Sequence, residues 1–87
     1  MRLDKFLKNA RLIKRRTLAK EVADQGRIQI NGHAGKSSSK LKVGDELRIQ
    51  FGQKVLTIEV KELKETVKKD EAADLYIIKS EEPVNKD

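Results

Sequence analysis

Four cations fall within six residues in the run Arg11-Leu12-Ile13-Lys14-Arg15-Arg16, and Lys20 follows four residues later. Side chains of this type at this density bind polyanions, because each Lys or Arg that neutralises a phosphate releases a condensed counterion. Arginine adds a second capacity, since its planar fork grips phosphate in bidentate fashion or stacks on an unpaired base. The wider charge pattern agrees. The first forty-four of the 87 residues carry twelve Lys or Arg against three acids, and the remainder carry eight against eleven. The formal net charge of +6 is therefore concentrated in the N-terminal half. That half is the expected working surface, and nucleic acid its expected target.

The position of the cations argues further. Arg15 and Arg16 stand where a second helix should begin. A helix N-terminus is already the positive end of the macrodipole, so cations there cost roughly 0.3–1 kcal/mol each. A sequence shaped by stability alone would place Ser, Asp or Thr at that point. The same end offers free backbone N–H groups to an anion. On helical spacing Arg16 and Lys20 share a face, and Arg2 and Lys5 on the first helix extend the same patch. The bland alternative is a solvated basic face with no partner; the asymmetry between halves and the cost at the helix start weigh against it.

Other chemistry finds little support. The chain has no cysteine and a single histidine, His33, so neither a disulfide framework nor a thiolate or histidine metal site is expected. His33 follows a turn with no partner at catalytic spacing. Ser37-Ser38-Ser39 reads as a flexible loop, with phosphate contact as a second possibility. Asp4, Glu21 and Asp24 are expected to steady nearby cations rather than to form an acid–base pair. No enzymatic activity, cofactor or metal is expected. The opening residues lack the apolar run of a signal peptide and no stretch is long enough to span a bilayer, so a cytoplasmic location is expected.

Elements that would position the cations follow from periodicity. Leu3, Phe6, Leu7 and Ala10 recur at helical spacing and predict a first helix over 2–10. A second should run from about Arg16 to Gln25, with Leu18, Ala19 and Val22 turned inward and Gly26 closing it. The period then becomes two. Arg27 to Ile30 reads as a strand and Asn31-Gly32 as a tight hairpin turn, with 33–36 as the return arm. Leu47, Ile49 and Phe51 alternate before the Gly52-Gln53 turn, and Leu56, Ile58 and Val60 alternate after it. A short helix is expected near Lys69–Ala73 and a last strand at Leu75–Ile78. The fold class is α+β: two short helices packed on a small, mainly antiparallel sheet, with a short C-terminal helix and strand. Residues 1–79 form the expected single domain and 80–87 a disordered tail, having little to bury.

The ordered set of motifs resembles a known family. A short helix, the run Arg11–Lys20, then Gly26-Arg27-Ile28-Gln29-Ile30-Asn31-Gly32, Lys36, Ser38 and Gly44-Asp45-Glu46-Leu47-Arg48-Ile49 are similar to the S4-like RNA-binding domain. This core motif covers about residues 1–51. The resemblance implies one RNA-gripping face made by the two helices and the following hairpin. Arg16 matches the arginine typical of the second helix start, whereas Arg15 stands where a Ser cap is usual. Met1-Arg2-Leu3-Asp4-Lys5-Phe6-Leu7-Lys8, and Lys69-Asp70-Glu71-Ala72-Ala73 followed by Leu75-Tyr76, narrow the resemblance to free-standing members of ribosome-associated quality control. These are relatives of a ribosome-binding small heat-shock protein. Membership implies contact with large-subunit ribosomal RNA and with peptidyl-tRNA in the P site. It also implies a partner protein, RqcH, that brings alanyl-tRNA for alanine tailing of a stalled nascent chain. No membrane partner is implied, and a monomer is expected. On that basis Arg2, Arg15 and Arg16 are the expected contacts to phosphates and unpaired bases, with Lys5, Arg11, Lys14, Lys20 and Lys36 as secondary phosphate contacts. A DNA-binding helix-turn-helix and a protein adaptor with an acidic C-terminal half are the rival readings.

Overall fold

The alternation from Glu46 to Val60 becomes the centre of the sheet in a computed structural model, which describes residues 1–83. Strands β1 (Ile28–Ile30), β2 (His33–Ala34), β3 (Glu46–Phe51), β4 (Lys54–Val60) and β5 (Tyr76–Pro83) form one sheet in the order β2-β1-β3-β4-β5. Every pairing is antiparallel. The register sets Ile28 opposite Ile49, Leu47 opposite Ile58, and Ile49 opposite Leu56, so the apolar residues of three strands share the inner face. All of these are buried. Asn31 (φ 52°) and Gly32 (φ 86°) adopt the left-handed conformation that a two-residue hairpin turn demands. Asn31 does more than turn the chain. Its Nδ2 donates to Asp45 Oδ1 (3.1 Å) and its Oδ1 accepts from the Glu46 N–H (2.9 Å), which pins the end of β1 to the start of β3.

The inner face of the sheet is closed by helices α1 (Leu3–Asn9) and α2 (Arg16–Asp24) and by a 3-10 helix, Lys69–Leu75. Leu3, Phe6 and Leu7 of α1 are fully buried, each contributing about 1.5–3 kcal/mol by the area it removes from water. α2 buries only Ala19 and Ala23. Two alanines one turn apart let it sit close to α1, and they also define which side faces in. The expectation for Leu18 is corrected: the side chain is 48% exposed. With about 100° between successive residues, a helix that points Ala19 and Ala23 inward must turn Leu18 toward solvent. Val22, on the border, is half-buried.

Two further expectations give way. Ser37–Ser39 is not a loose loop. The Ser37 and Ser39 carbonyls accept from the Asp4 and Leu3 N–H groups (3.1 and 2.8 Å), so the segment caps the first turn of α1, and Ser37 itself is buried. The expected disordered tail from residue 80 also fails over 80–83. β5 runs to Pro83 because β4 offers it a full row of partners, from Val60–Tyr76 to Lys54–Pro83, with a register shift between Thr57 and Ile58. Residues 84–87 lie outside the described residues. Among the described residues no helix is long and apolar enough to cross a membrane.

Both helices end in the same way, with one difference. At the end of α2 the Gly26 N–H donates to Ala23 O (3.1 Å) and the Arg27 N–H to Val22 O (3.3 Å), with Gly26 at φ 80°. At the end of α1 the Arg11 N–H donates to Lys8 O (3.0 Å) and the Leu12 N–H to Leu7 O (3.0 Å), with Arg11 at φ 57°. These are two copies of one C-terminal motif whose left-handed residue is ordinarily glycine. An arginine there carries a steric cost that a glycine does not. Arg11→Gly is therefore expected to leave the fold intact and raise stability by about 0.5–1 kcal/mol, read as an upward shift of the urea midpoint at unchanged slope.

Candidate nucleic-acid interface

The interface is organised by a carboxylate. Asp4 lies in the first turn of α1, with its side chain 4% exposed. Its Oδ1 accepts from the Lys5 N–H (2.8 Å) and from Arg2 Nε (3.2 Å), while its Oδ2 accepts from Arg2 Nη2 (3.2 Å) and sits 3.5 Å from Arg16 Nε. A buried charge is tolerated only when paired and hydrogen-bonded, and this one is both. The two guanidinium groups are not consumed by the pairing, since the Arg2 and Arg16 side chains each remain 48% exposed. Two arginines fourteen positions apart in sequence thus present their free edges together.

A second carboxylate organises the neighbouring cations. Asp24, at the end of α2, accepts from the Ser37 N–H (3.1 Å) and from the Ser37 hydroxyl (3.3 Å). The Ser37 backbone bond is the main reason its carboxyl lies below the ordinary carboxylate value, helped by the hydroxyl bond and by the charges of Lys20 and Lys36. Lys20 and Lys36 therefore meet around Asp24 although sixteen residues separate them. Lys40 was missing from the expected set. It forms an isolated antiparallel bridge with Arg2, which puts another exposed cation beside the Asp4 cluster. The only sequence signal was its place in the loop that Lys36 opens.

Arg15 is the N-cap of α2 and makes no side-chain capping bond, so the first-turn N–H groups stay open to an anion beside Arg15 and Arg16. Arg11 and Lys14 stand apart from this group. They line a pocket with Lys8, Asn9 and Val67 at the other end of α1. Lys5 is engaged elsewhere, in an ion pair with Glu65 whose carboxyl it holds below the ordinary value. Asn9 Nδ2 reinforces that attachment by donating to the Lys64 and Glu65 carbonyls (3.0 and 3.3 Å). The eight expected contacts therefore divide into Arg2 and Arg16 on Asp4, Lys20 and Lys36 around Asp24, Arg15 at the start of α2, a separate pair of Arg11 and Lys14, and Lys5 tied to the C-terminal segment. Fixed guanidinium groups, amines and an open helix start can grip a phosphodiester backbone and read its shape.

This arrangement is that of an S4 domain. Residues 1–47 match that family, and the chain belongs to it. The relatives extend over nearly the whole chain. The chain is 68% identical over 82 residues to the RQC P-site tRNA stabilizing factor of Bacillus subtilis, covering 94% of this chain and 95% of that protein. It is 62% identical over 86 residues to the protein of the same name from Halalkalibacterium halodurans, covering 99% of this chain and 98% of that one. Among solved structures it resembles the trimeric structure of Vibrio cholerae heat shock protein 15. The TM-score is 0.85 at 30% identity, over 92% of this chain and 82% of that one. The expected α+β fold and the relation to heat-shock proteins of this type are both borne out.

Two measurements probe the carboxylates. Asp4→Asn adds one positive charge to the net, yet should weaken RNA binding several-fold, because the two arginines lose the anion that holds them together; equal or tighter binding in a filter assay would show that Asp4 does not position them. For Asp24, the lowered value means that the Ser37 latch adds stability above the unfolded-state pKa and loses it as pH falls through the folded one. Carboxyl-carbon NMR should find its midpoint below 3.8 and, in Ser37→Ala, see it rise toward that value.

Proposed function

We propose that the chain acts in ribosome-associated quality control as a non-enzymatic RNA clamp on stalled large ribosomal subunits. It contacts large-subunit ribosomal RNA and stabilises peptidyl-tRNA in the P site. With the tRNA held, RqcH delivers alanyl-tRNA and the stalled nascent chain receives an alanine tail. This is the role of the RqcP group, which the opening and tail motifs resemble. The names of relatives up to 68% identical over nearly the full chain support it. The single observation that carries the physical side is the pair of half-exposed guanidinium groups held on buried Asp4.

Arg2, Arg15 and Arg16 contact backbone phosphates and unpaired bases. Lys20 and Lys36 set register on the same strand, and Arg11 and Lys14 reach a further stretch. Lys5 joins them by exchanging Glu65 for phosphate. Most of these contacts give affinity and position, while discrimination comes from RNA shape. The protein works as a monomer in the cytoplasm, where ribosomes are. Duplex DNA is a poorer fit, because the cations cluster at the start of α2 and on the loop 36–40 rather than along a recognition helix.

Arg16→Ala should weaken co-sedimentation with large subunits while the melting temperature stays within a few degrees, since the side chain is half-exposed and Arg2 still pairs with Asp4. Normal co-sedimentation would remove Arg16 from the centre of the mechanism. For the wild type, log affinity should fall linearly with log salt, with a slope of roughly −0.7 to −0.9 per phosphate contacted. A slope near zero would show that phosphate contacts do not carry the binding.

A further inference from the structure

The pocket at the C-terminal end of α1 does not belong to the Asp4 cluster. It is lined by Lys8, Asn9, Arg11, Lys14 and Val67. Lys8, Arg11 and Lys14 are exposed and make no ion pair among the described residues. Val67 is half-buried and packs against the core, so it forms a fixed apolar wall. That wall comes from the segment that Asn9 and Lys5 bind through residues 64–65, and it lies outside the stretch matching the S4 domain. Asn9 spends its Nδ2 on this attachment, which leaves its Oδ1 as an acceptor beside the wall.

The backbone supplies the second observation. Arg11 holds a left-handed position that Gly26 holds in the equivalent motif of α2. Nothing in the fold calls for an arginine there, and non-glycine residues held in such conformations gather where the side chain has a task. Three cations, an amide acceptor and an apolar wall are together more than a phosphate needs. An unstacked nucleotide uses all of them: phosphate on the cations, base edge on the amide, base face on the wall.

We propose that this pocket receives one unpaired nucleotide of the bound RNA, with its phosphate on Arg11 and Lys14 and its base against Val67. The inference rests on the RNA-binding reading above and adds a base-binding subsite to it. The site joins the family domain to its C-terminal addition, so it would distinguish this chain from S4 domains that lack residues 61–68.

The test is an amide NMR titration of the full chain with AMP, with UMP and with ribose 5-phosphate, which carries the same sugar and phosphate without a base. One of the two nucleotides should saturate the shifts of Asn9, Arg11, Lys14 and Val67 at about a tenfold lower concentration than ribose 5-phosphate. Lys14→Gln should weaken all three probes alike. Val67→Ser should remove the preference for the nucleotide while leaving the response to ribose 5-phosphate. Equal potency of ribose 5-phosphate and both nucleotides would reduce the pocket to an anion subsite and overturn the proposal, as would shifts confined to residues elsewhere. Co-sedimentation of the wild type with large subunits is measured alongside. If it is intact while the base preference is absent, the subsite alone falls; if it fails, the ribosomal reading falls whatever the nucleotides do.

Discussion

Two guanidinium groups repel each other, and the carboxylate of Asp4 is what keeps Arg2 and Arg16 together. Its position is fixed from below by Leu3, Phe6 and Leu7, which root α1 in the core. It is fixed from the side by α2, whose alanine face brings Arg16 within reach. A buried ion pair is weak evidence for stability, because desolvation offsets much of the attraction. Its better-attested use is to specify geometry. Here the geometry holds two arginines side by side while each keeps about half its side chain exposed. Side chains already gathered lose less freedom on binding than side chains that must be collected from solution.

The loop 36–41 works as the counterpart of that arrangement. Its carbonyls cap α1 and its Ser37 caps the charge on Asp24, so one short segment steadies both helices, with Lys36 beside Asp24 and Lys40 beside Arg2. Elsewhere the sequence departs from what stability alone would select. Arg15 occupies a helix cap with no capping bond, and Arg11 a left-handed position ordinarily left to glycine. Departures of this kind recur at functional sites and are compensated by the rest of the fold. Both fall in the connection between α1 and α2, where the cation density is highest.

Local rules carried the sequence reading a long way. The strands at 46–51 and 54–60, the Asn31-Gly32 hairpin, both helices and the Gly26 ending were legible because each is set by period or by turn chemistry within a few residues. Arg16 and Arg2 were legible as cations, but their meeting was not, since it depends on a carboxylate placed by tertiary packing. The same holds for Lys5 with Glu65 and for Asp24 with Ser37, pairs separated by 60 and 13 positions. Leu18 misled because a leucine in an amphipathic window is ordinarily core, whereas here the smaller alanines take the inner face. Ser80–Pro83 misled because a polar edge strand has no composition of its own; β4 gives it order through backbone hydrogen bonds.

The acidic C-terminal half explains why the basic half stays available. The family match ends at Leu47, inside β3, yet the strand partner of Leu47 is Ile58, and Val60 and Leu75 complete the same core. The later residues are therefore structural before they are anything else, which weakens the idea of a separate acidic adaptor. The ion pairs within that half are internal to it: Lys54 pairs with Glu81, Lys64 with Glu62 and Lys79 with Glu59. Among the described residues only one pair, Lys5 with Glu65, crosses from that half to the basic one. Had the acids been distributed against the cations of the first forty residues, the net charge would be unchanged and the polyanion-binding face would be gone. What the fold preserves is a separation of charge within a domain small enough that every residue lies near a surface, and that separation is what a phosphate backbone can detect at a distance.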